Sequence, residues 1–312
     1  MNLITHNPVL LNEALEYLNI RNNLVYVDAT FGLGGYTKEI LKKNNCTVIA
    51  VDRDPDVQKF SVILKKNYKN KFKFILGKFG DLKKLLEIES VDKITGGIVA
   101  DLGMSSLHLE NSKRGFSIKN NGPLDMRMSK KGISAEYVIN SFEEDELSKI
   151  FWNYGEEHKS RKIAKTIVIE RKKNKISTTH DLANLIKKVK LQKKPYRIHP
   201  ATKIFQALRI FINNELEEIK CLIDHSINIM APGARLVLIS FHSLEDRLIK
   251  NTFKKLCEGE KNVNRHLPSL KPSMKPKFKK IGKPFYIPTE NEILKNPRSR
   301  SAKLRVIERV SI

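Results

Sequence analysis

Cysteine is scarce in this chain, and Cys46, Cys221 and Cys257 stand far apart. No pair has C-x-x-C spacing, which excludes a zinc knuckle or a disulfide framework, and three isolated thiols fit a reducing, cytoplasmic setting. Long apolar runs are also missing. The best, Leu236–Ile239 with its flanks, falls far short of the ~20 residues that span a bilayer. The N-terminus lacks the charged-then-apolar pattern of an export signal, so no membrane partner is expected. No H-x-E accompanies a P-C-x-x-C, which excludes a zinc deaminase, and no cysteine follows a proline as covalent attack on a pyrimidine ring would suggest.

Acid is the other shortage: 34 Asp and Glu face 58 Lys and Arg, a net charge of +24. Lysines that neutralise phosphates release counterions, so the excess points to a nucleic-acid partner. Only 15 of the 58 are arginine, and Lys, Asn and Ile are abundant together. Part of the charge therefore reflects an AT-rich genome, but acid has not risen to match and an excess survives. At 312 residues and 40% hydrophobic content the chain can fill one large core or two ordinary ones.

What is present is organised around Leu24–Tyr36, where an apolar run meets Asp28, a loop holds Gly32, Gly34 and Gly35, and Thr37–Leu41 has helical spacing. Strand, tight glycine turn and helix in that order form the first βα unit of a nucleotide-binding α/β sheet. A second run, Thr47–Val51, ends in Asp52, 20 residues after Gly32, where an acid can accept both ribose hydroxyls of an adenosine-containing ligand. Asp54-Pro55 reads instead as a helix start. A dinucleotide fold wants G-x-G-x-x-G to cradle a pyrophosphate. Here the loop reads Asp28-x-Thr30-x-Gly32-x-Gly34-Gly35, and its acid would repel phosphate but suits a cation. S-adenosylmethionine (AdoMet) carries a sulfonium and an ammonium and no phosphate, so a methyltransferase is favoured over a dehydrogenase.

Along the chain, Pro8 suits a helix start, with Leu11, Ala14, Leu15 and Leu18 on one face. A helix is expected near Val57–Lys66. A third strand, Phe72–Leu76, leads to Phe79, placed either to lie against an adenine or to close the loop from the core. A fourth, Gly97–Ala100, delivers Asp101 to the same row of strand ends. From Glu110 an aperiodic, Gly/Pro/Arg-rich stretch reads as a long ordered loop. From about Ile133 to Ile198 the pattern is helical, with capping boxes at Ser141-x-x-Glu144 and Thr178-x-x-Asp181. Lysine runs there, including Lys187-Lys188 and Lys193-Lys194, could be a solvated face or an RNA-facing surface. One long amphipathic helix is expected through Phe205, Leu208, Ile212, Leu216 and Ile219. Strand five, Arg235–Ser240, ends in the polar cluster Phe241-His242-Ser243-Leu244-Glu245-Asp246-Arg247, and after a Pro- and Lys-rich tail (Lys271–Lys283) Leu304–Arg309 reads as a final strand.

With these motifs in view the chain closely resembles the bacterial 16S ribosomal RNA cytosine-N4 methyltransferase (MraW) family, nearly end to end. The resemblance is carried by His6-Asn7-Pro8-Val9-Leu10-Leu11, the Asp28–Gly35 loop, Asp101-Leu102-Gly103-x-Ser105-Ser106, Arg114-Gly115-Phe116-Ser117 and Gly122–Met128. Tyr154-Gly155-Glu156-Glu157, His199-Pro200-Ala201-Thr202, Phe205–Ile210, Ser240–Arg247 and Asn296-Pro297-Arg298-Ser299-Arg300 complete it. The loop around Asp125 and the strand-five cluster are the family-specific parts.

The resemblance implies a class I AdoMet-dependent methyltransferase fold, an α/β Rossmann-like sheet with an inserted all-helical domain. It places the methyltransferase domain at 1–112 and 199–312, and a loop plus helical insertion for RNA recognition at 113–198. It implies methylation of the N4 amino group of a cytidine in the decoding centre (P site) of 16S rRNA, within the small (30S) subunit. The implied AdoMet contacts are Gly34, Gly35, Tyr36, Asp52, Phe79, Asp101 and His108, the last standing where the family has glutamine. Arg127 and Phe241 are candidate substrate contacts.

Cytosine N4 is a poor nucleophile because its lone pair is delocalised into the ring. Holding it at near-attack distance can supply as much as ~7–11 kcal/mol of the barrier. Amino-methyltransferases of DNA use a D/N/S-P-P-Y loop after strand four; this chain has Asp101-Leu102-Gly103-Met104. His242 and Asp246 are therefore the candidate proton acceptors, with capping of the strand-five turn as the competing role. An NAD-dependent oxidoreductase, or a catalytically dead RNA-binding protein on the same fold, are the rival classes. The sequence leaves oligomeric state open, a homodimer included.

Overall fold

The computed structural model describes residues 8–190, 198–258 and 276–310. His6-Asn7, Lys193-Lys194 and the Lys271–Lys275 end of the tail lie outside the described residues. The chain divides into two compact units, Met1–Gly103 with Leu216–Ile312, and Met104–Glu215.

The first unit opens with α1 (Leu11–Leu18), β1 (Val25–Asp28), α2 (Gly35–Lys43), β2 (Thr47–Asp52), α3 (Gln58–Tyr68), β3 (Phe72–Leu76), α4 (Leu82–Ile88) and β4 (Gly97–Asp101). The second unit is helical: α5 (Ser106–Glu110), α6 (Ala135–Ser141), α7 (Glu144–Gly155), α8 (Ser160–Arg171), α9 (Thr179–Val189) and α10 (Thr202–Asn213). The chain then returns to the first unit through α11 (Glu215–Ile229), β5 (Arg235–Ser240), α12 (Ser243–Glu258), β6 (Phe278–Lys280), α13 (Glu290–Lys295) and β7 (Lys303–Arg309).

Among the described residues one sheet holds all seven strands, in the order β3-β2-β1-β4-β5-β7-β6. β1 to β5 run parallel, and β7 is antiparallel to both β5 and β6. Parallel strands covered on both faces read as unbroken apolar runs, and β4 is buried up to Asp101, β5 from Leu236 onward. The strand order reverses between β1 and β4, and the crevice beyond their carboxyl ends is where such sheets take ligands.

Three sequence expectations are corrected. The long helix through Phe205 and Ile219 is two helices, because Asn214 caps α10 in the left-handed region (φ 52°). Asn tolerates that conformation, and the apolar period runs on across the break, which hides it in the sequence. Phe205 and Leu208 join the helical core, whereas Leu216 and Ile219 join the sheet core. The helical unit is therefore longer than 113–198. Ser141 ends α6, and the capping box of α7 is built by Glu143 and Glu146. The tail contributes a strand, β6, too short and too lysine-rich to show apolar alternation. The box at Thr178 and Asp181 forms as read.

The aperiodic stretch in the helical unit is held by two polar residues. Arg114, 6% exposed, donates to the carbonyls of Arg127 (3.0 Å) and Met128 (2.7 Å). Asn213, 2% exposed, accepts from Met128 N–H (2.8 Å) and donates to the carbonyls of Met126 (2.8 Å) and Arg209 (2.9 Å). Between them Met126 sits in the left-handed region at φ 62°, a conformation that costs a non-glycine residue about 1–3 kcal/mol and persists only where its surroundings fix it.

Asn213→Ala leaves buried backbone groups unpaired at about 1–3 kcal/mol each. Trp152, the only tryptophan, lies in α7 and reports this unit alone. The midpoint of its fluorescence transition in urea is expected to fall by the equivalent of roughly 2–4 kcal/mol. An unchanged midpoint would show that Asn213 does not hold the loop.

Candidate active site

The site grows from Asp28, the last residue of β1, which is fully buried. Its Oδ1 accepts from Thr30 N–H (3.2 Å), and its Oδ2 accepts from Thr37 N–H (3.2 Å) and Thr37 Oγ1 (2.7 Å). One carboxylate thus ties strand end, loop and first turn of α2. Burial pushes its pKa up to about 6 even though those hydrogen bonds pull the other way. Between them the chain turns through Gly32 and Gly34 (φ 52° and 76°), and Gly34 caps α2 in a region closed to most side chains.

Two cross-links carry this loop to neighbouring strand ends. Gly32 N–H donates to Asp52 Oδ2 at the tip of β2 (2.7 Å), and Asp101 N–H, ending β4, donates to Thr30 Oγ1 (2.7 Å). Asp52 Oδ1 accepts from Asp54 N–H (2.9 Å). Asp101 Oδ1 is buried with no hydrogen-bond partner. Burial, and then the nearby Asp28, Glu245 and Glu292, push the Asp101 pKa well above the carboxylate range. Glu292 arrives from α13, where its carboxylate accepts from Leu10 N–H (2.7 Å). Neither Glu292 nor the bridging hydroxyl of Thr30 was singled out from sequence. Glu292 carries no local signal, lying 282 residues from Leu10.

The loops leave room above these acids. A side-chain carbon built on Gly32 meets nothing nearer than Thr30 O at 3.9 Å, and one on Gly103 nothing nearer than Phe241 at 3.9 Å. Gly35, by contrast, packs directly on the Pro8 ring. Gly35 and Tyr36 open α2, so their N–H groups are among those a helix leaves without an intrahelical acceptor. The Tyr36 hydroxyl donates to Val9 O. Phe79, half-buried, begins the turn after β3 and packs on the sheet core. An orphaned carboxylate oxygen amid further acids, under an open glycine loop, has the donor set for a cationic adenosine ligand and the wrong charge for a pyrophosphate.

The strand-five cluster is built differently from the sequence expectation. Glu245, with 0% exposure, accepts from Phe241 N–H (2.8 Å) and His242 N–H (3.3 Å), while His242 Nδ1 accepts from Glu245 N–H (3.4 Å). This is the reciprocal pairing of a capping box at the start of α12. The other ring nitrogen, Nε2, lies 3.1 Å from Glu245 Oε1. His242 so held serves the turn that starts α12. Asp246 is clamped by Arg305 (2.7 Å) and Lys303 (3.0 Å). Burial pushes its pKa up, but the two cations more than offset this and hold it low, which makes it a poor base.

In the helical unit, His108 is buried, takes Ser105 N–H on Nδ1 (3.1 Å) and stacks on Phe116 with centroids 4.7 Å apart. Arg127 forms a two-pronged pair with Asp125 (2.9 and 2.7 Å) and reaches Gly132 O (3.1 Å). Both side chains serve their own loops.

The MraW methylase family model matches residues 3–310 of this chain. The chain belongs to that family. It is 45% identical over 309 residues to the ribosomal RNA small subunit methyltransferase H of Ehrlichia canis, covering 98% of this chain and 100% of that one. The proteins of the same name from Neorickettsia sennetsu (43% over 308 residues, 98% and 97% covered) and Rhodospirillum rubrum (41% over 314 residues, 99% and 96% covered) are similar to it along the same span. The fold is thus the class I methyltransferase sheet, the protein is a methyltransferase, and AdoMet is the methyl donor. Among the described residues no helix is long and apolar enough to cross a membrane.

Protonation of Asp28 stabilises the ligand-free fold, fully below its ordinary 3.8 and progressively less as pH rises through about 6. A bound cation favours the ionised form, so AdoMet affinity should fall as pH drops from about 7 to about 5, with protons released on binding near pH 6. Calorimetry in two buffers of different ionisation heat reads both, and a flat affinity would disconnect the buried acids from the ligand. His242→Ala should lower stability by about 1 kcal/mol, as a lost cap does, while the single-turnover rate and its pH profile stay near wild type. A rate loss of ~10²–10⁴-fold would restore the histidine as a general base.

Proposed function

We propose that this chain methylates the N4 amino group of a cytidine in the decoding centre (P site) of 16S rRNA, on the small ribosomal subunit. The observation that carries the reading is end-to-end similarity, above 40% identity, to proteins named for small-subunit rRNA methylation, in a chain whose strand ends form a cation-accepting crevice. The net charge of +24 fits the polyanionic substrate.

AdoMet would be held by the backbone of Gly34, Gly35 and Tyr36, by Asp52 on the ribose, by Phe79 beside the adenine, and by Asp101 toward the ammonium. His108, whose Nδ1 and ring face are taken by Ser105 and Phe116, would have only Nε2 to offer. When bound, the donor supplies an electrophilic methyl group on sulfonium.

The protein's own residues then have a limited task. Asp28 and Asp101 fix the cationic end through charge, and Thr30 and Asp52 keep the glycine loop at the right depth. Phe241, half-buried at the end of β5 and beside Gly103, stands where an unstacked base can lie against it. With His242 capped and Asp246 clamped, catalysis rests on positioning, and the acidic proton of the methylated amine leaves to solvent. Positioning alone can contribute several kcal/mol, at best ~7–11.

Mass analysis of 16S rRNA from cells with and without the protein tests this reading, together with transfer of labelled methyl groups to subunits from the deficient cells. A single cytidine heavier by one methyl group only when the protein is present is expected. Asp52→Ala should weaken AdoMet binding by roughly 1.5–3 kcal/mol, the worth of a charge-assisted contact. Unmodified RNA in both cells with the label unconsumed would leave a non-enzymatic RNA binder. Wild-type AdoMet affinity in Asp52→Ala would remove that residue from the site.

A further inference from the structure

Phe285 is 41% exposed, yet its backbone and one side of its ring are fixed. The next residue, Tyr286, pairs with Leu304 through two backbone hydrogen bonds of 2.9 Å, and its ring packs on Tyr17 with centroids 4.4 Å apart. On the other side, Pro284 O accepts from Arg305 (2.7 Å). Lys303 Nζ and Arg305 Cζ lie 5.3 and 5.4 Å from the ring centroid. These two residues sit i and i+2 on β7, so they project from one face of the strand and back the ring from one side. Asp246 anchors both cations, at 3.0 and 2.7 Å. The result is a rigid aromatic plane, cation-backed and open to solvent.

Its place gives it a use. Lys303 is in register with Ser240, the last residue of β5, so the ring stands on the carboxyl rim of the sheet, beside the strand-five turn. Lys283, exposed, lies two residues earlier in the chain. A flexible surface phenylalanine would have no reason to be pinned on three sides. A docking site for an apolar peptide side chain would not set two cations under the ring. An unpaired nucleobase fits both features: it has a π-face for the ring, and its phosphate meets lysine.

We propose that Phe285 is a stacking platform for an unpaired base of the RNA substrate, backed by Lys303 and Arg305. It rests on the RNA-methylation reading above. The test compares wild type with Phe285→Ala, Phe285→Leu and Phe285→Trp, using two probes. One is unmodified small subunits as methyl acceptor. The other is a fluorescein-labelled, protein-free single-stranded RNA of about ten nucleotides, within the ~4–16 of such sites.

Loss of one base–aromatic stack predicts that Ala and Leu raise the subunit KM and the oligomer Kd by roughly fivefold or more. AdoMet Kd and thermal midpoint should stay unchanged, and Trp should restore wild-type values. Leu keeps apolar bulk, so it separates stacking from packing should Ala disturb the fold. Wild-type KM and Kd in both the Ala and Leu variants would overturn the platform. A KM effect on subunits with no effect on the bare RNA would also overturn it, assigning the ring to a ribosomal protein. If wild type transfers no methyl groups at all, the functional reading fails while the oligomer still reads the platform.

Discussion

Carboxylates buried together at the ends of β1 and β4 are the constraint on which the first unit depends. Asp28 holds strand, loop and helix with one side chain, and Asp101 keeps a buried oxygen without a donor. An unmade buried hydrogen bond costs about 1–3 kcal/mol, and after burial itself the charge of Asp28 raises the pKa of Asp101, as that of Asp52 raises the pKa of Asp28. The ligand-free protein therefore carries local strain of electrostatic kind, and a ligand bearing positive charge relieves it. An arrangement of this charge suits a cation and opposes a pyrophosphate.

The helical unit solves a separate problem. Its long loop cannot be held by regular hydrogen bonding, so Arg114 and Asn213 take the backbone groups that would otherwise be orphaned. That lets Met126 stay in a costly conformation. The core of this unit gathers Leu147, Phe151, Ile163 and Leu208.

How much of this was legible depended on distance along the chain. Parallel strands buried on both faces are apolar runs, so β1, β2, β4 and β5 could be read directly, as could the Phe-rich edge strand β3, and the acids Asp28, Asp52 and Asp101 stood out as the residues ending three of them. The glycine loop was legible because positive φ and close approach both demand glycine. Asn214 was not, since a left-handed cap leaves the apolar period on either side intact. β6 was hidden by its shortness and its lysines.

The sequence by itself determined the parallel sheet and the row of acids and glycines at its strand ends, because these follow from local runs and the residues that end them. Only the tertiary structure decided what the polar residues beyond strand five do. His242 and Asp246 read as bases by residue type, yet His242 and Glu245 cap the start of α12 together, and Arg305 with Lys303 hold the Asp246 pKa low. Glu292 joined the acidic cluster from the far end of the chain. A proton's position and a carboxylate's pKa are set by atoms within a few ångströms, and a linear sequence does not carry which atoms those are.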